Sequence, residues 1–168
     1  MVKTSDIRQR IIREVVKEKK KDPKVVAILL FGSMARGNHN KKSDIDIEIV
    51  SNKDALRREF KEKRHGIVVD FEIWPKEKLI KRIDNYPFLS YPYLEEKILF
   101  DPTGLVKEIK RKLNKYFKEH NDVLKAWKKW EKKYLENKKL GKKQKEVKKF
   151  YDELELKFSD SHNITRNF

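Results

Sequence analysis

The 168-residue chain contains no cysteine. Disulfides, thiolate nucleophiles and cysteine-based zinc sites are therefore excluded. No apolar run approaches about 18 residues, so no transmembrane helix is expected. The N-terminus is polar from Thr4 onward, unlike a secretory signal, and a cytoplasmic setting is expected. Only 38% of the residues are hydrophobic. Even so, 11% aromatics and several apolar runs provide enough surface to bury, so disorder is not expected. The length suits one domain, or one small domain with an appendage. No internal repeat is evident.

What the chain has in excess is charge, and its distribution is uneven. Asp, Glu, Lys and Arg make up 42% of the residues and the formal net charge is +16. Residues 1–104 hold 23 bases and 17 acids, residues 105–150 hold 18 bases and 6 acids, and residues 151–168 hold 2 bases and 4 acids. The positive excess therefore belongs mainly to the C-terminal third. This predicts one domain over 1–104 and a basic helical extension over 105–168.

The hydrophobic pattern predicts an α/β (α+β) chain of about four strands interspersed with helices, with C-terminal helices. Thr4 or Ser5 can cap a helix reaching about Lys21, with Ile7, Ile11, Ile12, Val15 and Val16 on one stripe. Residues 25–31 form a continuous apolar run, which suits a strand covered on both faces. Residues 44–50 (DIDIEIV) alternate strictly, giving a strand with one polar and one apolar face. Residues 52–64 read as a helix ended by His65-Gly66. Residues 67–74 read as a third strand, and Pro75 suits the first position of a helix to about Asp84. Residues 86–93 read as irregular, and 97–101 as a short fourth strand. Helices are expected over about 105–117, 121–136 and 142–157, the last two parted by Asn137 and Gly141.

Three features carry chemistry. Gly32-Ser33 follows the buried strand at once, and a strand that turns into a helix presents free backbone N–H groups to an anion. On its own, Gly-Ser is also a common turn. Asp44 and Asp46 point to one face of a strand, about 6 to 7 Å apart, and Glu48 shares that face. Adjacent carboxylates repel unless a cation or solvent relieves them, and hard oxygen donors at this spacing suit Mg²⁺. The alternative is a solvated strand face. Asp70 stands in a strand rich in β-branched and aromatic residues, on one face with Glu72 and Trp74. It completes a carboxylate set if its strand neighbours that of Asp44, and otherwise simply faces water. His39, His65, His120 and His162 lack ligand spacing and read as structural or solvated.

The order strand, Gly-Ser, ten residues, Asp-x-Asp, later strand with Asp (LLFGSMARGNHNKKSDIDIEIV and then IVVDFEIW) resembles the nucleotidyltransferase superfamily that includes DNA polymerase beta. It is most similar to the minimal nucleotidyltransferase branch, and the resemblance implies that family's fold, a mixed sheet of about four strands flanked by helices. The resemblance covers about residues 25–104 and includes Arg36-Gly37 and Ser43, whereas Met34 departs from a frequently basic position. The resemblance implies roles residue by residue. Gly32, Ser33 and Arg36 would bind the nucleotide phosphates. Asp44, Asp46 and Asp70 would be catalytic and would hold two Mg²⁺ ions. A nucleoside monophosphate, AMP from ATP, would move onto a hydroxyl. In this branch the acceptor is often a tyrosine of a HEPN-family toxin partner, which gives the protein an antitoxin role. A small-molecule acceptor of the aminoglycoside kind, or an RNA end, is the alternative within the enzyme class.

In the basic third, Val123, Trp127, Trp130 and Tyr134, and likewise Val147, Tyr151, Leu154 and Phe158, follow i, i+4, i+7, i+11. Each forms one narrow apolar stripe on a Lys-rich helix. A helical hairpin, or a helix packed on the preceding domain, with its lysines solvated, is the favoured reading, followed by a partner or homo-oligomer surface. Nucleic-acid binding through lysines and stacking aromatics is not favoured. Tyr86, Tyr91 and Tyr93 are expected to pack over the sheet edge rather than stack on a base. A binding module that neutralises a partner without catalysis is the reading of a different class; a basic nucleic-acid-binding protein is another.

Overall fold

The computed structural model describes residues 4–52, 56–139 and 146–159. The chain divides into two compact units, one of Met1–Ile80 with Glu95–Ile109, the other of Lys81–Leu94 with Lys110–Phe168. Among the described residues the elements succeed one another as α1 (Thr4–Lys19), β1 (Val25–Phe31), α2 (Gly32–Arg36), β2 (Ile45–Ser51), β3 (Arg58–Arg64), β4 (Ile67–Pro75), α3 (Lys76–Asn85), a 3-10 turn (Pro87–Leu89), α4 (Pro92–Glu95), β5 (Lys97–Phe100), α5 (Leu105–Glu119), α6 (Asn121–Lys139) and α7 (Glu146–Phe158).

The first unit is built on a five-stranded sheet of order β3-β4-β2-β1-β5. Strands β2 and β4 run parallel, and every other neighbouring pair is antiparallel. Strand β1 lies inside the sheet between β2 and β5 and reads as apolar throughout because Val26 to Leu30 are all buried. On one face Ile45, Ile47 and Ile49 of β2 join Val69 and Phe71 of β4, and Ile11, Ile12 and Val15 of α1 pack into the same core. The period-2 pattern of β2 and β4 meets the 3.6-period stripe of α1, so one layer of apolar side chains is buried from both sides.

The fifth strand was not expected. The helix anticipated over 52–64 is replaced, in its described part, by β3, while residues 53–55 lie outside the described residues. His65 (φ 49°) and Gly66 (φ 81°) are both left-handed, as a two-residue hairpin turn requires, so the dipeptide turns a strand instead of ending a helix. Phe60 of β3 then stacks on Phe71 of β4 with ring centroids 4.8 Å apart. Arg, Lys and Glu favour helices intrinsically, but cross-strand pairing and one aromatic contact override that preference. Pro75, expected to open a helix, instead closes β4 opposite Ser51, a strand end where its missing N–H costs nothing.

The second unit contains the two aromatic stripes. Trp127, Leu154, Phe158 and Val123 are buried, and Trp130 stacks on Phe150 at 4.6 Å. The indole N–H of Trp127 donates to the Phe88 carbonyl at 2.7 Å. Tyr91 lies against Phe117 and Trp127, and Tyr93 is buried, so both tyrosines serve packing. The stripes thus form the core of a helical packing unit, as the favoured reading expected. Helix α6 continues through Asn137 to Lys139; the anticipated break at Gly141 lies outside the described residues. Among the described residues no helix is long and apolar enough to cross a membrane.

Trp127→Ala removes a fully buried ring and its hydrogen bond. The substitution is expected to lower the unfolding free energy by about 3–5 kcal/mol, read by thermal or urea denaturation.

Candidate active site

The parallel register of β2 against β4 sets Asp46 directly opposite Asp70, and Glu48 opposite Glu72. All four point away from the Ile45–Ile47–Ile49 face, because successive residues of a strand alternate. Asp44 immediately precedes β2 and belongs to the same row. The face is not simply solvated: Glu48 is only 4% exposed, and Asp44, Asp46 and Asp70 are half-buried.

Gly32 lies beside this row. Its φ of 67° is left-handed, and a Cβ there would overlap the Oδ2 of Asp46. Only glycine allows the backbone to approach the carboxylate so closely. Ser33 is buried at the start of α2, and its carbonyl accepts from Gly37 and Asn38 N–H, closing the helix. Arg36, at the end of α2, places Nη1 3.9 Å from Glu95 Oε2. Met34 is buried in the core, so the usual basic residue of that position has no outlet to solvent here.

The loop that leads into Asp44 is fixed by a residue that sequence reasoning missed. Arg8 of α1 is 3% exposed, and its Nη2 donates to the carbonyls of Lys41 and Ser43, each at 2.9 Å. Ser43 Oγ accepts the Asn40 N–H at 2.9 Å, and Asn40 Oδ1 accepts the Lys42 N–H at 2.8 Å. The signal was present: Arg8 stands at i, with Ile11, Ile12 and Val15 at i+3, i+4 and i+7. An arginine on an apolar stripe must find acceptors inside the protein.

A second missed residue is Lys61, concealed by the expected helix. In β3 it stands opposite Asp70, and its Nζ lies 2.8 Å from Asp70 Oδ2. Glu72 is held separately, accepting from Arg57 Nε and from the Trp74 indole N–H, with the Arg57 guanidinium 4.9 Å from the Trp74 ring centre. Among the described residues Asp46 has no such partner. Burial, followed by the charges of Asp70 and Asp44, pushes its carboxyl up to about 6, against smaller opposing effects of Arg36 and Lys61.

The structure therefore gathers Gly32, Asp44, Asp46 and Asp70, with Ser33 adjacent, and adds Arg8 and Lys61. Lys41 and Lys42 remain on an exposed loop. As the side chains stand, no three Asp, Glu or His residues among the described ones are disposed to hold a metal ion. On the opposite face of the sheet a cavity of about 300 Å³ is lined by Glu18, Val25, Ile49, Phe60 and Ile73, among others; none of the predicted site residues lines it.

Comparison with known proteins gives a family match. Residues 9–157 match the model of the nucleotidyltransferase domain. Among solved structures the chain is similar to a nucleotidyltransferase-like protein from Exiguobacterium sibiricum, with 13% identity and a TM-score of 0.47. The match covers 61% of this chain and 37% of that one. No curated protein matches the chain.

Two outcomes follow from the site's electrostatics and its support. A carboxyl raised from 3.8 to about 6 on folding stabilises the fold below the lower value and loses that contribution as pH rises through the upper. Asp46→Asn is therefore expected to melt higher than the parent at pH 7.5, by roughly 2–4 °C for about 1 kcal/mol after solvent screening. The gain is expected to vanish below pH 4, and melting curves across pH check it. Arg8→Met leaves two carbonyls without their donor and is expected to cost about 1–3 kcal/mol, with faster proteolysis of the 37–43 loop.

Proposed function

Because this chain belongs to the nucleotidyltransferase domain family, we propose that it moves AMP from ATP onto a hydroxyl group. The observation that supports this most is the register pairing of Asp46 with Asp70 beside the left-handed Gly32. It provides a row of hard oxygen donors next to a backbone cradle. Burial first, and then the charges of Asp70 and Asp44, raise the Asp46 carboxyl, so this row would gain from a cation placed among its oxygens. That donor chemistry fits Mg²⁺, with Asp44 and Asp46 as ligands of two ions and Asp70 as ligand of the one beside the attacking hydroxyl. When bound, the ions would neutralise charge on the attacking and leaving oxygens.

The chain's own residues carry the remaining work. Gly32 and Ser33 bring backbone N–H groups to the β- and γ-phosphates, and Arg36 adds a guanidinium donor. Arg8 holds the loop that aims Asp44. The acceptor oxygen bonds to the α-phosphorus as the bridge to the β-phosphate breaks, and pyrophosphate departs. The acceptor proton leaves toward the Asp70 carboxylate, and no covalent enzyme intermediate is needed. The work is positioning and charge neutralisation, as phosphoryl chemistry demands.

For the acceptor, the resemblance to the minimal nucleotidyltransferase branch points to a tyrosine of a HEPN-family toxin, which makes this chain the antitoxin. The test uses α-labelled triphosphates, Mg²⁺ and the product of the adjacent gene. Label from ATP is expected on that protein, and Asp44→Ala with Asp46→Ala is expected to lower transfer at least 100-fold, about 3 kcal/mol in the barrier. Absence of both transfer and triphosphate binding rejects the reading. Neutralisation of the partner by the double variant would reassign that role to simple contact.

A further inference from the structure

Lys61 holds the carboxylate oxygen that the proposed chemistry assigns to a metal. Its Nζ lies 2.8 Å from Asp70 Oδ2, in line across the β3–β4 ladder. A divalent cation would sit about 2.0–2.1 Å from a ligating oxygen. An ammonium already at hydrogen-bond distance from that atom and an Mg²⁺ on it would repel each other at close range. The two cations therefore compete for Asp70.

Three features make Lys61 the partner that yields. Its side chain is 63% exposed and belongs to the edge strand β3, so it can swing into water. Lysine offers a point charge on a flexible stem, not a fixed fork. The neighbouring acid Glu72 shows the contrast: Arg57, placed over the Trp74 ring, and the Trp74 indole both hold it, and it does not belong to the proposed ligand set.

We propose that Lys61 is a built-in, displaceable counter-ion of the carboxylate row, occupying Asp70 in the metal-free protein and setting how tightly the site takes a divalent cation. The inference rests on the metal-dependent reading above. It makes Lys61 a positioning residue: it acts through Asp70 and never needs to touch the reacting atoms. The consequence is that the apo site is kept closed to weak or scarce cations and fills when a sufficient charge displaces the ammonium.

The test is Mn²⁺ titration of the full chain without nucleotide, with free Mn²⁺ read by electron paramagnetic resonance. Lys61→Met is expected to bind Mn²⁺ roughly two- to fivefold tighter than the parent, the range spanned by exposed ion pairs. Lys61→Arg, which keeps the charge on a fixed fork that yields less readily, is expected to bind no tighter than the parent, and Lys63→Met, which removes an exposed charge two residues along the same strand, is expected to bind as the parent does. Melting adds a second readout: Mn²⁺ is expected to raise the midpoint of Lys61→Met more than that of the parent. If the parent binds Mn²⁺, loses it on Asp46→Asn, and Lys61→Met binds no tighter, the counter-ion inference is overturned while the metal site stands. If neither parent nor Lys61→Met binds Mn²⁺, the metal-dependent reading itself falls and takes this inference with it. Lys61→Gln repeats the measurement with a polar side chain and guards against a folding defect of the methionine variant.

Discussion

The parallel, in-register pairing of β2 with β4 is the constraint on which the rest of this chain depends. It places like charges directly opposite one another, an arrangement that destabilises a sheet. The same register places Ile45, Ile47 and Ile49 against Val69, Phe71 and Ile73 on the other face. A slip by one residue would bring the acids into the α1 core and turn the isoleucines outward. The apolar face therefore enforces the electrostatic conflict on the acidic face, and neither can be changed without the other. Core and site are two sides of one strand pair.

How that conflict is relieved differs along the row. Asp70 is answered by Lys61 and Glu72 by Arg57, both from residues beside or within the edge strand β3. Asp46, one strand further in and beside the Gly32 backbone, is paired with no cation among the described residues and holds its proton to about 6. The edge strand thus places its ion pairs on β4 and reaches Asp46 of β2 only through the weaker, more distant charge of Lys61.

Much of this was legible in the residues. The alternation of 44–50 and 67–74, the unbroken apolar run 25–31 and the Gly-Ser after it lead to the strands and to Asp44, Asp46 and Asp70. The two aromatic stripes lead to the helical core of the second unit. What escaped was β3, because REFKEKR carries residues that favour helices and its Phe60 alone marks an apolar side. His65-Gly66 fits a helix end as well as a hairpin turn, and only the register with β4 separates them. Missing β3 concealed Lys61, since its relation to Asp70 is a cross-strand neighbourhood nine residues apart in sequence. Arg8 was overlooked for a different reason: a stripe is read for its apolar members, and a charged residue on it is easily counted as surface.

The net charge of +16 has little part in the chemistry of the site. Most of it belongs to residues 105–150, and Lys125, Lys128, Lys129 and Lys132 of α6 lie exposed in water. Trp127, which would be needed for stacking on a base, is 2% exposed and occupied by Phe150 and Tyr151. Charges in water are screened over about 10 Å at ordinary ionic strength, whereas those in a half-buried group are not. The electrostatics around Asp46 accord with this: the cations that act on it are Arg36 and Lys61, both from its own unit. Two local positive charges against three carboxylates leave the row negative inside a strongly basic protein. Among the described lysines of the sheet, Lys61 is the one whose ammonium reaches the row.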